Sequence, residues 1–516
     1  MRTVLVANRG EIAVRVIGAC RELGLRTVAV YADPDRDALY PRLADDRVPL
    51  GASDPLDTYL HVGRLLDAAR RSGADTVHPG YGFLAESAEF AAAVREAGLV
   101  WVGPPADVIA RVGDKTEARR LARRAGVPVV AGCDAEETSD ADLTAAAGRI
   151  GFPLMIKAAA GGGGRGMRRV NEASDLPGAL ASARREARAA FGRDALLLER
   201  HLDEVHHVEV QVLADATGVA MALGERECSV QRRHQKLIEE SPSPFVTAEL
   251  RSQLERAAVA IAETAGYVNA GTVEFLVDAD RRWYFLEVNA RLQVEHPVTE
   301  MVTGVDLVKA QLHLAAGDRL PADGSGRSRA PRARGHAIEC RVCAEDAAHG
   351  FRPTPGPILA LVEPHGPGVR VDSGLRAGWR VPVEYDPMLA KVIAHAATRE
   401  DAATRMADAL GRYVILGCQT NLEFLRAVVR HDAFRDGETT TRFLERHFGA
   451  WTGEADGLAA AAAAVLTQVR DAGTAEATAA PGEGGSPAGS PGRDWDPWLR
   501  VGPWRMGMSG PPGAHE

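Results

Sequence analysis

GTVEFLVDADRRWYFLEVNARLQVEHPVTE, residues 271–300, decides the reading of this chain. Two runs rich in β-branched and aromatic residues flank DADRR, so 271–289 predicts a β-hairpin. A symmetry point between Asp280 and Arg281 sets Glu274 opposite Glu287. Directly opposed Cβ atoms in such a pair lie about 4.5–5.5 Å apart, and like charges there repel. The pair is tolerated if something positive sits between the carboxylates. Asn289, two residues beyond Glu287 and on the same face, adds an amide oxygen. These are hard oxygen donors suited to Mg²⁺ (or Mn²⁺) together with phosphate oxygens and water. Just downstream, Arg291 can hold a small anion bidentately, and Glu295, four residues on, is a candidate general base. The plain alternatives are solvated strand carboxylates in another register and a structural Arg291–Glu295 ion pair.

Working outward, IKAAAGGGGRGM (156–167) carries four consecutive glycines. Such a run costs too much conformational entropy to be kept for packing alone. Its backbone N–H groups can wrap phosphate oxygens, with Lys157 and Arg165 adding charge. No Gly-Lys-Ser/Thr follows, so it is not a Walker A loop. A phosphate loop and a paired-carboxylate metal site in one chain point together to a nucleoside triphosphate. RECSVQRRHQKLIEESPSP (226–244) then reads as an anion clamp, with Arg232, Arg233, His234 and Lys236 beside Gln231 and Gln235. LLLER (196–200) ends a buried strand whose backbone faces an adenine edge in this reading.

The N-terminal 112 residues alternate strands (TVLVA, TVAVY, VHPG, LVWVG) with helical stretches, predicting a parallel α/β domain. ANRGEI after the first strand lacks GxGxxG, so a dinucleotide site is not supported. Residues 113–325 hold more strands than helices and predict an antiparallel sheet. Residues 318–334 are rich in Pro, Gly, Ser and Arg and read as a linker. A third α/β region spans 335–448. From 449 an Ala-rich stretch leads into TAAPGEGGSPAGSPGRD, which is low-complexity, and then a Trp-rich tail. The net charge of −9 argues against nucleic-acid or anionic-membrane partners. No signal peptide or stretch of membrane-spanning length stands out, and six scattered cysteines suit a reducing cytoplasm. The single CxxC, Cys340 and Cys343, lacks a second pair for zinc.

Seven motifs in order resemble the biotin carboxylase component of biotin-dependent carboxylases: NRGEIAVRVI, HPGYGFLAE, KAAAGGGGRGM, QRRHQK, EVNARLQVEHPVTE, GHAIECR and YDPMLAK. The resemblance covers about 1–447. It implies an ATP-grasp fold: a pre-ATP-grasp domain (1–112), an ATP-grasp domain (113–325) with a mobile lid at about 130–203, and a biotin carboxylase C-terminal α/β domain (335–448). By resemblance, Lys115, Lys157, Gly163 and Gly164 bind ATP, Glu199, Arg200, His201 and Leu202 form the adenine hinge, and His207, Gln231 and His234 lie near the nucleotide. Glu274, Glu287 and Asn289 match the metal ligands. Lys236, Arg291, Gln293 and Val294 match the bicarbonate pocket, with Glu295 as the base. Arg341 and Asp386 match positions near biotin. No Ala-Met-Lys-Met attachment motif occurs, so biotin is expected on a carrier protein or domain. A carboxyltransferase is the further expected partner. WDPWLRVGPWRMG (495–507) resembles the start of the subunit-bridging region of acyl-CoA carboxylase α chains. YDPMLAKV and the run 420–447 resemble the methylcrotonyl-CoA and propionyl-CoA type more than the stand-alone acetyl-CoA type. Gly18 stands where related single-domain chains carry Arg at a homodimer contact. The competing readings are another ATP-grasp ligase, of the carbamoyl phosphate synthetase kind, and an inactive scaffold within a carboxylase complex.

Overall fold

The apolar runs near the N-terminus pack as parallel strands because each is followed by a helix that covers one face of the sheet. Thr3–Val6 lies between Arg26–Tyr31 and Thr76–His78, and the five strands run in the order 3-2-1-4-5, all parallel. The helix Gly10–Glu22 turns Ile12, Ala13, Val16 and Ile17 inward at helical spacing. The computed structural model describes residues 1–133, 139–159, 167–192, 194–321, 328 and 330–453. The expected linker and Trp-rich tail beyond 453, and all four glycines of the run at 161–164, lie outside the described residues.

The centre is an eight-stranded sheet. Its first five strands come from the second region and are antiparallel, as their alternation predicts. The sheet then runs on through the expected boundary near 335. Gln235–Ser241 pairs with His336–Cys343, which pairs with Met388–Ala396, which pairs with Val369–Ser373. The second and third regions therefore share one sheet. A separate four-stranded sheet holds Leu154–Ala158 next to Leu196–Arg200, with Lys157 opposite Leu197.

The decisive hairpin forms with one irregularity. Its loop is centred on Asp280, with Arg281 at φ 60°, and Val277 faces Trp283. From there, Phe275 pairs with Phe285, but Glu274 pairs with Glu287. Leu286 is the extra residue, a β-bulge. A bulge places two residues of one strand against one of the other and re-aims the side chains beyond it. Phe275 and Phe285 stay in the core, each worth about 1.5–3 kcal/mol of burial. Beyond the bulge Val288 and Ala290 take over the core positions, so Glu287 and Asn289 turn to the opposite face. Regular alternation from Phe285 would have put both of them inside.

Candidate active site

The cavity face of the sheet is built by alternation. In Val205–Ala214, Val208, Val210 and Val212 enter the core while His207, Glu209 and Gln211 face the other way. The register lines up Glu209 with Glu274 on one side and with Arg226 on the other. Lys236 follows from the strand Gln235–Ser241 and Arg341 from His336–Cys343. Charged groups thus stand side by side across six strands, at the floor of a cavity of about 1200 Å³.

Lys236 holds the arrangement together. Its ammonium donates to Glu209 Oε2 at 2.5 Å, Glu274 Oε1 at 3.0 Å and Glu295 Oε1 at 2.7 Å. Burial favours the neutral amine, but Glu209, then Glu274 and Glu295, push the ammonium well above its ordinary range. Glu295 receives Arg341 Nη2 on its other oxygen at 2.9 Å. Burial raises Glu295, yet Lys236 and then Arg341 pull it well below the carboxylate range, so it is ionised at neutral pH. It also stands at the N-cap of the helix His296–Thr303, whose N-terminal dipole favours negative charge. Arg341 Nε donates in turn to Glu239 at 2.6 Å, and Asn421 Nδ2 donates to the Arg341 carbonyl at 3.0 Å.

The alternative reading, a structural Arg291–Glu295 ion pair, is not what forms. Arg291 Nε donates instead to Glu86 Oε2 at 2.9 Å, and Glu86 Oε1 accepts the Ala290 amide at 3.0 Å. The other contacts of Arg291 are Asn289 Oδ1 at 3.0 Å, Gln293 Oε1 at 2.5 Å and the Leu292 carbonyl at 3.1 Å. Lys391, fully buried, donates to the Val294 carbonyl at 2.8 Å.

Glu274 is bonded by His207 Nε2 at 2.6 Å and by the amides of Asn289 and Gln293 at 2.8 and 3.0 Å. Burial raises it, but Lys236 and then His207 carry it below its ordinary value. Glu287 behaves oppositely. Burial first, then the charge of Glu274, raises it against the pull of Lys115. Two opposed carboxylates, one of them reluctant to ionise, with an amide oxygen beside them, are a donor set that fits a hard divalent cation.

Asp114 caps the helix Lys115–Arg124 by accepting from Thr116 N at 3.0 Å and Glu117 N at 3.1 Å, which fixes Lys115 at its first turn. Glu199 is buried and bridges Lys157 and Arg119, the latter at 2.5 Å. Arg200, His201, Leu202, Gln231, His234 and Asp386 line the same cavity. His234 sits in a tight turn at φ 67° after Arg233 at φ 49°, a backbone conformation that L-residues avoid and that aims His234 at the cavity. Asp386 Oδ1 accepts the Met388 amide at 2.8 Å. Gly163 and Gly164 lie outside the described residues. The sequence reading missed Glu86, Arg119, Glu209, Arg226 and Glu239. Glu86 ends the quoted HPGYGFLAE, and the in-phase alternation of Val205–Ala214 marks Glu209.

Three family profiles match the chain: "Biotin carboxylase, N-terminal domain" over 1–109, "Carbamoyl-phosphate synthase L chain, ATP binding domain" over 114–323, and "Biotin carboxylase C-terminal domain" over 339–446. The chain is 46% identical to biotin carboxylase 1 of Bacillus subtilis over 448 residues, 87% of this chain and 99% of that one. It is 45% identical to the biotin carboxylase of Allochromatium vinosum over 447 residues, 86% of this chain and 98% of that protein. Among solved structures, a biotin carboxylase domain dimer of Hydrogenobacter thermophilus 2-oxoglutarate carboxylase, in complex with MgADP, ADP and bicarbonate, superposes with a TM-score of 0.83 at 44% identity, covering 86% of this chain and 97% of that one.

Proposed function

The chain belongs to the biotin carboxylase family, and from that premise we propose how its residues divide the work of an ATP- and bicarbonate-dependent carboxylation of biotin. The observation that carries the assignment of roles is the shared ammonium of Lys236, with Arg341 closing the far side of Glu295.

Bicarbonate enters between Lys236 and Arg291, with Gln293 and the Val294 backbone beside it. As the anion takes over part of the Lys236 charge, Glu295 is released from its tightest partner and becomes the better base. It removes the bicarbonate proton at a carboxylate oxygen. The carbonate so formed attacks the γ-phosphoryl of ATP, whose phosphates Lys115 and Lys157 help to hold. Carboxyphosphate releases CO₂, and the freed phosphate takes the N1′ proton of biotin. Arg341, swung from Glu295, stabilises the negative charge on the biotin oxygen, and the deprotonated N1′ captures CO₂. Glu274, Glu287 and Asn289 are the residues for a divalent cation, which would neutralise phosphate charge. Asp386 belongs to the biotin end.

Both profiles flanking the central domain are those of biotin carboxylase, which disfavours another ATP-grasp ligase. The intact charge array disfavours an inactive scaffold. A biotin carrier protein or domain and a carboxyltransferase are the proposed partners. Lys236, Arg291 and Arg341 provide for carboxylating biotin, and nothing in the sequence provides an attachment site for it. A homodimer is a further proposal, because the Hydrogenobacter domain is a dimer. The six unpaired cysteines support a reducing cytoplasm as the location. No helix among the described residues is long and apolar enough to cross a membrane.

The test is ATP cleavage with bicarbonate, with and without free biotin, for wild type and Arg291→Ala. Biotin-stimulated ADP release that collapses in the variant is expected. Folded wild type that binds ATP but ignores biotin would refute the reading.

A further inference from the structure

Behind Arg341 lies a second acid that the reaction above does not use. Glu339 points to the same side of its strand as Arg341. It stands directly opposite Glu239 in the neighbouring strand. Both glutamates are fully buried. Glu239 gives Oε1 to Arg341, but its Oε2 and both oxygens of Glu339 have no hydrogen-bond partner among the described residues.

The charged and titratable groups around Glu339 are all committed elsewhere. Arg341, on its own strand, spans Glu239 and Glu295. Lys391, from Met388–Ala396, donates to the Val294 carbonyl and lies 3.4 Å from Glu11. From the helix His296–Thr303 and its cap come Glu295, bound by Lys236, and Glu300, bound by Arg15 and Arg370. His296 donates from Nδ1 to the Gln293 carbonyl, and its Nε2 has no hydrogen-bond partner among the described residues. A carboxylate buried without a partner takes a proton in preference to ionising. Burial raises Glu339, Lys391 opposes this, Glu239 reinforces it, and the result is well above the carboxylate range. Burial likewise pushes Glu239 up, to about 7, against the pull of Arg341.

We propose that Glu339 is a proton-bearing, neutral acid that serves as a positioning residue for Arg341. It fills the space behind the Arg341–Glu239 pair without adding a third negative charge. Arg341 is therefore held from behind by Glu239 alone and can turn toward the biotin oxygen. Ionising Glu339 would strengthen the hold on Arg341 from behind and weaken its hold on biotin. The inference rests on the carboxylation reading above.

The proton has a readout of its own. An unfolded Glu ionises near ~4.3, whereas native Glu339 keeps its proton far above that. Between those values the native state binds a proton the unfolded chain has released, so wild-type stability falls as pH rises, about tenfold in the folding equilibrium per pH unit. A Gln at 339 has no such slope. The experiment compares the full-length wild type with Glu339→Gln. We expect the variant to fold, to match the wild-type Tm near pH 5, and to exceed it by a margin that grows toward pH 8. We also expect the alkaline fall in kcat/KM for free biotin, about tenfold per pH unit in the wild type, to be missing in the variant. A variant that does not fold, a Tm difference that is flat with pH, or the same alkaline limb in both proteins overturns the proposal. Wild type without any biotin response counts against the carboxylation reading instead, and the Tm comparison then decides whether Glu339 carries the proton.

Discussion

Replacing Lys236 by Met keeps the length of the side chain and deletes its ammonium. Three buried carboxylates, Glu209, Glu274 and Glu295, lose a donor at 2.5–3.0 Å. Breaking one buried pair costs about 3–5 kcal/mol, because the remaining charge is left desolvated. The three losses do not add. Glu209 keeps Arg226, Glu274 keeps His207, and Glu295 keeps Arg341. The array is short by one positive charge, so the expected loss is that of a single uncompensated carboxylate, about 3–5 kcal/mol at pH 7.5. For a unit of about 450 residues that lowers Tm by roughly 3–5 °C. The pH dependence has a definite sign. Burial raises Glu274 and Glu295, but Lys236 leads the groups that carry both below their ordinary range. Stability from a depressed carboxylate is present above its unfolded value, ~4.3, and is lost as pH falls through the folded value. The Lys236→Met penalty is therefore full at pH 7.5 and smaller in acid. Differential scanning fluorimetry at pH 3 and at pH 7.5 measures both. ATP cleavage should fall by about 10²–10³, as for loss of one well-placed donor. Equal Tm values at pH 7.5, or a penalty that grows in acid, would refute the reasoning.

Glu86→Ala removes the support under Arg291 and the bond to the Ala290 amide. Glu86 is 42% exposed, so a discounted loss of about 1–2 kcal/mol applies, seen as a 5–30-fold rise in KM for bicarbonate with little change in Tm. Glu295→Gln should cut bicarbonate-dependent ATP cleavage by about 10²–10⁴ while ATP still binds, measured by a nucleotide-induced Tm shift. Glu287→Gln should act in two directions. It relieves the repulsion with Glu274 and raises Tm without nucleotide, yet it shrinks the further rise produced by Mg²⁺ and ATP. An undiminished rise with Mg²⁺ and ATP would mean that Glu287 is not part of the cation site.

The parallel N-terminal sheet and the antiparallel centre are legible because their apolar periods are clean. The Glu274–Glu287 pair is also legible, although the assumed turn centre is half a residue off and the bulge at Leu286 makes up the difference. The sequence does not show that Gln235–Ser241 pairs with His336–Cys343, nearly a hundred residues on, because strand partnership across regions leaves no local pattern. Partner choice among charges is equally hidden. Arg291 and Glu295 are neighbours in sequence, yet the turn at 290–295 sends one to Glu86 and the other to Lys236. Glu239 and Glu339 each read as ordinary strand residues, and only the register brings them together.

The bulge has a consequence for how the apolar and the acidic linings of the cavity are tied to one another. Leu286 and Glu287 both line the cavity although they are consecutive, so one strand presents an apolar and an acidic surface at the same height. Excising Leu286 alone would restore plain alternation, with Phe285 and the valine after Glu287 still inside and both acids still outward. The apolar lining and the acidic lining of the cavity are thus written at separate positions of a single strand. The first can be edited by a one-residue deletion while the second stays in frame.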